Sequence, residues 1–187
     1  MFLLVGLGNT GKKYEDTRHN VGFKIIDHLV KTNNLDKVSV SNKFRSIIYK
    51  GKILDNTVIL CKPTTMMNCS GEAVRLVKEF YKINNEDIFI FHDELDLVLP
   101  KVKFKYSGGS AGHNGIKSID KNISNKYFRI RIGINIPNNN LSADKFVLAQ
   151  FNKHEKKEIH TKINIIEKNI NYIFSKDIDS FMSSISN

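Results

Sequence analysis

The chain has 187 residues, of which 41% are hydrophobic and 26% charged, and these values predict one globular domain, residues 1–187, that buries its core without disulfides. No apolar run approaches the ~20 residues of a membrane helix, and the apolar opening is too short for a signal peptide. The two cysteines fit neither a disulfide framework nor a zinc motif. We therefore expect a cytoplasmic protein. The net charge of +10 suits a polyanionic partner such as nucleic acid, although a composition rich in Lys, Asn and Ile, typical of an AT-rich genome, accounts for part of it.

Short apolar runs alternate with helix-period segments in the first half of the chain, which is the pattern of an α/β protein. Ser70 stands at the start of one such segment and is predicted to be its N-cap. The predicted elements are a buried strand over Phe2–Val5, a helix from about Asn20 to Thr32, a hairpin of Ser46–Tyr49 and Val58–Cys61 around Leu54–Asn56, and a helix with Ala73, Val74, Val77, Phe80 and Tyr81 on its apolar face.

The second half of the chain continues this alternation and ends in a helical region. Its lysines lie mostly off the apolar stripe, which favours a solvated outer face over an RNA-binding face. The predicted elements are a strand over Ile88–Phe91, half-exposed strands over Lys103–Tyr106 and Phe128–Ile132, a short helix after His113, a loop over Asn138–Asn140, and a terminal helical region with the stripe Ile159, Ile163, Ile166, Ile170 and Ile173. We therefore predict an α/β fold in which one mixed, twisted β-sheet carries helices on both faces.

The segment Gly6–Gly11 follows a predicted strand and matches the glycine pattern of dinucleotide-binding turns. A nucleotide fold needs a helix that begins inside the motif, so that its N–H groups face the pyrophosphate. Here the helical pattern begins only near Asn20, and no second strand ends in an acidic residue about twenty positions further on. The surroundings therefore argue against dinucleotide binding.

His19 lies just before a predicted helix, where the positive end of the helix dipole favours a neutral imidazole. Because neutral imidazole accepts a proton from water, this position suits a general base. Asp93 ends a predicted strand, at the edge where open α/β sheets form ligand crevices. A carboxylate bonded to one imidazole nitrogen would fix the tautomer and stabilise the cation. From local sequence alone, a surface histidine near a helix cap is the simpler interpretation of His19.

The acidic run around Asp93 also leaves a divalent-metal site open, or an ordinary acidic loop. Carboxylates and imidazoles are suitable ligands for several divalent metals, so composition does not exclude such a site. The candidate ligands are Asp93, Glu94, Asp96, His92 and His113.

Two asparagines, Asn68 and Asn114, stand at predicted helix starts, where an amide can donate a hydrogen bond to a developing oxyanion. Each alone is more often a cap or turn asparagine. Cys69 and Ser70 are poor candidates for a nucleophile, because neither has a base at motif spacing and Ser70 is accounted for as a helix cap.

Taken together, these segments resemble the bacterial-type peptidyl-tRNA hydrolases in order and spacing over nearly the whole chain. No single segment is specific, whereas the ordered set is. The matching residues are Gly6–Asn9, Tyr14, Thr17–Gly22, Lys62–Thr64, Met67–Gly71, His92–Leu97, Gly108–Gly109, Gly112–Gly115, Arg129–Ile134 and Phe146–Leu148.

The resemblance implies an enzyme that cleaves the ester between a peptide and tRNA without cofactor or metal. It implies His19 as the catalytic base, Asp93 as its orienting partner and Asn68 as the best oxyanion donor. Nothing in the sequence argues for an obligate protein partner, so a monomer is the default expectation, and no membrane contact is expected. The implied substrate contacts are Asn9, Asn68 and Asn114 for the ester, peptide and water, Tyr14, Met66 and His113 along the cleft, and Lys103, Lys105 and Arg131 on the basic strands, where Lys105 and Arg131 would grip the terminal 5′-phosphate.

Two departures from the family pattern concern loops near these residues. Thr10 replaces the usual Pro, so the turn that carries Asn9 is expected to be looser. Leu97–Pro100 replaces the usual Leu-Pro-x-Gly run, which is expected to alter the loop after Asp93.

Two other classes of protein remain open from the residues alone. A non-catalytic RNA-binding module would retain tRNA without cleaving the ester. A metal-dependent phosphodiesterase using the Asp93–Asp96 run would be inactivated by a chelator and would cut the RNA chain itself.

Overall fold

A computed structural model describes residues 1–41, 43–135 and 141–186, and one seven-stranded sheet runs through it. The strand order is β2-β3-β4-β1-β5-β7-β6. The pairs β4–β1, β1–β5 and β5–β7 are parallel, and the remaining three are antiparallel. The strands are β1 (Phe2–Gly6), β2 (Asp36–Ser41), β3 (Ser46–Ile53), β4 (Asn56–Pro63), β5 (Ile88–Glu94), β6 (Val102–Tyr106) and β7 (Phe128–Gly133).

Seven α-helices surround the sheet in the described part of the chain, together with short 3-10 turns that include Arg18–Asn20 and Met67–Cys69. Among these residues no helix combines the length and apolar character needed to span a bilayer. The loop predicted over Asn138–Asn140 lies outside the described residues. The helices are α1 (Val21–Thr32), α2 (Ser70–Tyr81), α3 (Asn114–Ile123), α4 (Ala143–Val147), α5 (Lys153–Lys168), α6 (Ile170–Phe174) and α7 (Ile178–Ile185).

The sheet separates two apolar cores, one on each face. Helix α1 and the C-terminal helices contribute to the first core, where all five isoleucines of the predicted stripe are buried. Helices α2 and α3 contribute to the second. The predicted α/β fold, with a mixed sheet and helices on both faces, is therefore confirmed.

Several local predictions differ from the structure. The edge strand β2 was not predicted, since its segment Asp36–Ser41 is mostly polar. Ser70 is not an N-cap: it is the first residue of α2, and its buried hydroxyl donates to the Met67 carbonyl. The prediction of β7 as half-exposed is also wrong, because Arg129 is buried along with its apolar neighbours.

Helix α1 lies against the ends of β1 and β5 with almost no space between the backbones. A Cβ atom on Gly22 would overlap the Phe91 carbonyl and the Leu7 backbone, and one on Gly6 would overlap the Gly22 carbonyl. The Phe23 N–H also donates to the Leu7 carbonyl at 3.2 Å. The glycines of the first motif therefore permit close helix packing, which brings the turn before α1 next to the end of β5.

Candidate active site

The carboxyl ends of the parallel strands β1 and β5 bring the predicted site residues together. Asn9 follows β1, and Asp93 is the penultimate residue of β5. His19 lies on the 3-10 turn Arg18–Asn20 that leads into α1. This is the edge at which open α/β sheets form ligand crevices.

His19 and Asp93 form a buried, hydrogen-bonded pair. The Nδ1 atom of His19 lies 2.9 Å from both carboxylate oxygens of Asp93, and the two residues are 8% and 2% exposed. The predicted meeting of these two residues therefore occurs. A carboxylate accepts hydrogen bonds, so Nδ1 carries the proton and Nε2 holds the free lone pair.

A second histidine, His113, also donates to Asp93, with Nε2 3.0 Å from one carboxylate oxygen. Its Nδ1 accepts from the backbone N–H groups of Gly115 and Ile116, so His113 is the N-cap of α3. Because Nδ1 is an acceptor and Nε2 a donor, the hydrogen bonds fix the neutral tautomer of His113.

The pair determines the charge state of both groups. Burial lowers the pKa of His19, but the charge of Asp93 and its hydrogen bond outweigh this effect and raise the pKa above its ordinary value. Burial raises the pKa of Asp93, whereas the two imidazoles lower it more strongly, to well below its usual range. The pKa of His19 is therefore raised at a position where the helix dipole alone would lower it, since a full charge at 2.9 Å exceeds a partial helix charge.

An open cavity of about 180 Å³ lies over the pair. Among the described residues nothing is hydrogen-bonded to His19 Nε2, and His19 lines this cavity. The other lining residues include Leu95, Gly112, His113, Asn114, Ala143, Asp144 and Val147. The basic nitrogen therefore faces a space large enough for water and part of a substrate.

The same atoms could be read as a metal site, since ligand atoms of His19, Asp93 and His113 lie within 4.8 Å of one another. However, His113 donates its only N–H proton to Asp93 while its other nitrogen caps α3. To bind a metal there, it would have to give up the cap or become an imidazolate. Glu94, from the predicted acidic run, is paired with Arg131 at 2.9 Å. The arrangement favours proton transfer over metal binding.

Asn9 is held from two sides by residues distant in sequence. Its Oδ1 accepts from the Met67 N–H at 3.0 Å, which orients Nδ2 as the free donor. Asn20 bonds the Asn9 backbone twice, with Oδ1 accepting from N–H at 2.8 Å and Nδ2 donating to the carbonyl at 2.9 Å. From the sequence, Asn20 was predicted only as the approximate start of a helix and as part of the matching segment Thr17–Gly22, with no role of its own.

Of the remaining predicted contacts, Asn114 lines the cavity over the His19–Asp93 pair, whereas Asn9 lines a second pocket together with Asn20 and Lys62. Asn114 is exposed. Asn68 and Met66 are exposed at the 3-10 turn beside Asn9, and among the described residues Asn68 has no hydrogen bond to the His19–Asp93 pair. Tyr14 is half-buried on the turn after Asn9.

Strands β6 and β7 place four cations on one side of the sheet. Lys103 lies opposite Arg131, and Lys105 opposite Arg129. Arg131 is paired with Glu94, whereas both lysines are exposed and, within the described ranges, have no acidic partner within 4.0 Å. The lysines are therefore the most available cations of this group.

Arg129 is a buried, structural cation, although the strand that carries it was predicted to be half-exposed. It is 2% exposed, pairs with Asp120 of α3 at 2.9 Å and donates to the Gly109 carbonyl at 2.7 Å. It therefore ties the glycine loop before His113 to the sheet and to α3. Its strand position indicated a basic face but not its buried partners.

Arg18 is a second buried cation that the sequence analysis did not single out. Its guanidinium donates twice to Glu155 and once to the Gln150 carbonyl, and lies 4.4 Å from the ring centre of Phe146. It thereby fastens the His19 turn to α4, to α5 and to the segment that joins them. Helix α4 supplies one wall of the cavity.

Several known proteins similar to this chain are described as peptidyl-tRNA hydrolases. Residues 3–187 match the family model for peptidyl-tRNA hydrolase. The peptidyl-tRNA hydrolase of Clostridium botulinum (strain Alaska E43 / Type E3) is 44% identical over 98% of this chain and 94% of its own length. That of Aliarcobacter butzleri (strain RM4018) is 45% identical over 98% and 97%. The crystal structure of peptidyl-tRNA hydrolase from Acinetobacter baumannii superposes with a TM-score of 0.92 and 33% identity, over 99% of this chain and 94% of that one.

Proposed function

Since the chain belongs to the peptidyl-tRNA hydrolase family, we propose that it hydrolyses the ester between a peptide and the 3′-terminal ribose of tRNA by general-base activation of water. The observation that carries this mechanism is the His19–Asp93 pair, whose free imidazole nitrogen faces an open cavity. The products are free tRNA and a free peptide, released for recycling during translation.

In this mechanism, His19 Nε2 takes a proton from a water molecule that attacks the carbonyl carbon of the ester. Asp93 holds the proton on Nδ1 and stabilises the imidazolium that forms. The ester C–O bond then breaks, and the ribose oxygen takes up the proton that His19 carried. General-base catalysis of this kind contributes about 10²–10⁴ in rate.

Amide donors around the cavity would bind the substrate and the oxyanion. Asn9 offers Nδ2 and Asn114 lies at the start of α3, so we assign them to the ester, the first peptide linkage or the attacking water. Asn68 is exposed beside Asn9 and remains our candidate for the oxyanion donor. Such a donor contributes about 10²–10³ in rate. Met66, Tyr14 and His113 would line the cleft.

The two exposed lysines of β6 would hold the acceptor end of the tRNA. We assign the terminal 5′-phosphate to Lys105 with Arg131, although Arg131 shares its guanidinium with Glu94. Lys103 lies two residues away on the same side of the strand. We further propose that residues 1–187 act as a single domain and a monomer in the cytoplasm, where translation takes place.

The decisive experiment follows the fate of both halves of an N-acylated aminoacyl-tRNA. We expect intact deacylated tRNA and free N-acyl amino acid, no shortened RNA, and the same rate with a chelator present. Aminoacyl-tRNA with a free α-amine should be spared, because buried groups that bind the peptide linkage would lose their partner. Retention of uncleaved substrate would support an RNA-binding module, and chelator-sensitive RNA cutting would support a phosphodiesterase.

Replacement of Lys105 by alanine should weaken binding of 5′-phosphorylated tRNA. One lost phosphate contact is expected to reduce the slope of log affinity against log salt concentration by about 1. The measurement is a salt titration with tRNA that carries or lacks the 5′-phosphate, and the variant should lose most of the difference between the two.

Lys157→Ala is the matched control for Lys105, because Lys157 is an exposed lysine on α5, away from the basic strands. It should leave the salt slope and the effect of the 5′-phosphate unchanged. A larger loss from Lys157→Ala than from Lys105→Ala would show that the RNA lies along α5 instead.

A further inference from the structure

Asn20 follows the proposed base directly in sequence, yet it is not bonded to the base. It is 2% exposed and makes no side-chain cap hydrogen bond to α1, although it occupies the N-cap position. The oxygen and the nitrogen of its amide both form hydrogen bonds with the backbone of Asn9, eleven residues earlier. A buried amide committed entirely to one loop residue fixes the position of that residue.

The turn that Asn20 holds has a further backbone hydrogen bond only after Asn9, from the Tyr14 N–H to the Gly11 carbonyl at 2.9 Å, among the residues that the structure describes. Gly11, two residues after Asn9, is exposed with a positive φ of 107°, and a Cβ atom there would meet no neighbouring atom within 4 Å. Thr10 occupies the position between them, and in the described part of the chain its N–H has no hydrogen-bond acceptor. The position of Asn9 within this turn is therefore fixed mainly by the Asn20 amide and by the bond from Met67 N–H to Asn9 Oδ1.

We propose that Asn20 is a positioning residue that acts through Asn9, and that it holds the free Nδ2 donor of Asn9 in place for the substrate in the pocket that Asn9 and Asn20 line beside the His19 turn. The pair of bonds from Asn20 fixes the Asn9 backbone, and the bond from Met67 fixes its side-chain rotation. Two consecutive residues thus serve the site, since His19 is the proposed base and Asn20 positions the substrate donor Asn9. The role of Asn9 rests on the proposed function.

A double-mutant cycle separates this role from a general structural one. Asn20→Ala should lower kcat/KM by about 10²-fold, because a mutation away from the reacting bond that displaces a substrate-binding group by about 1 Å can have an effect of this size. In an Asn9→Ala background the same change should cost less than about 2-fold, since Asn20 then has nothing to position. Equal losses in both backgrounds, or no loss in the first, would overturn the proposal.

The pH profile gives a second test, because Asn20 is adjacent to His19. Asn20→Ala should lower the plateau of kcat/KM without moving its midpoint, since the His19–Asp93 pair is left intact. A shifted midpoint would mean that Asn20 acts on the base, and it would overturn the assignment to Asn9. Asn33→Ala is the matched control: Asn33 also donates to a backbone carbonyl, at the other end of α1, and its loss should not change kcat/KM.

The two hydrogen bonds from the Asn20 side chain to the Asn9 backbone form what we call the clamp. Amide hydrogen exchange tests the clamp without reference to activity. In the unmodified protein the Asn9 N–H should exchange at least about 10-fold more slowly than that of Thr10, because only the first is bonded. Asn20→Ala, or Asn20→Ser if the alanine variant does not fold, should abolish the difference. Equal exchange of the two amides in the unmodified protein would overturn the clamp. If that protein fails to cleave the ester, the proposed function fails, whereas the exchange measurement still decides the clamp.

Discussion

Replacement of His19 by alanine should reduce turnover of an N-acylated aminoacyl-tRNA by at least about 10²-fold, while tRNA affinity stays within about 2-fold. The variant removes the only imidazole nitrogen that, among the described residues, faces the cavity without a hydrogen-bond partner. Binding is spared because the proposed RNA contacts lie on other elements. Single-turnover kinetics with saturating enzyme would measure the chemical step, and a separate binding titration would measure affinity.

His19→Asn separates basicity from structure. Its amide can donate to Asp93, as Nδ1 does now, but it cannot take a proton from water, so it should be as inactive as the alanine variant. His154→Ala serves as the control, because His154 is an exposed histidine on α5. If His19→Asn retained full turnover, the base would have to be a different group.

Replacement of Asp93 by asparagine should lower turnover by about 10³–10⁴-fold, as expected when an orienting carboxylate becomes an amide. An asparagine can donate to Nδ1, which stabilises the wrong tautomer and places the imidazole proton on Nε2. Loss of the negative charge also removes the main interaction that raises the pKa of His19, the attraction of the Asp93 carboxylate, while burial continues to lower this pKa. The residual activity should therefore reach its plateau at lower pH than in the unmodified protein.

The measurement is kcat/KM against pH in both proteins. In the unmodified enzyme activity should rise as pH passes through the raised pKa of His19, because the base must be neutral to act. Asp96→Asn is the matched control, an exposed aspartate in the same acidic run, and should leave both rate and midpoint unchanged. A comparable loss from Asp96→Asn would favour the metal-dependent alternative.

The fold was predictable because its signals are local. The stripe from Ile159 to Ile173 repeats at helical spacing, and the apolar run before Gly6 ends where the strand ends. The edge strand β2 carries only a short signal, the alternation of Val38 and Val40 with serines, and it is defined mainly by its pairing with β3. Whereas β2 was missed, Ser70 was assigned a role that it does not have: it has high propensity for the N-cap, but it lies one position inside its helix.

The candidate site was only partly predictable. His19 and Asp93 were found because they stand at the ends of predicted elements and belong to an ordered set of motifs. Asn20 and Arg18 lie in the same short motif, but their partners are 11 and up to 137 residues away. Burial of Arg129 likewise depends on Asp120 and the glycine loop, which an alternating strand pattern does not indicate.

The contact between Gly22 and the ends of β1 and β5 has a consequence for how this sequence can change over time. Because main chain touches main chain there, the approach of α1 to the end of β5 is limited at this point by backbone atoms and not by the size of a side chain. Apolar substitutions elsewhere in the core that leave this contact intact are therefore expected to leave the closest approach of the two elements unchanged. The tolerance ends at the glycine itself, where even one added methyl group would push the helix away from the sheet.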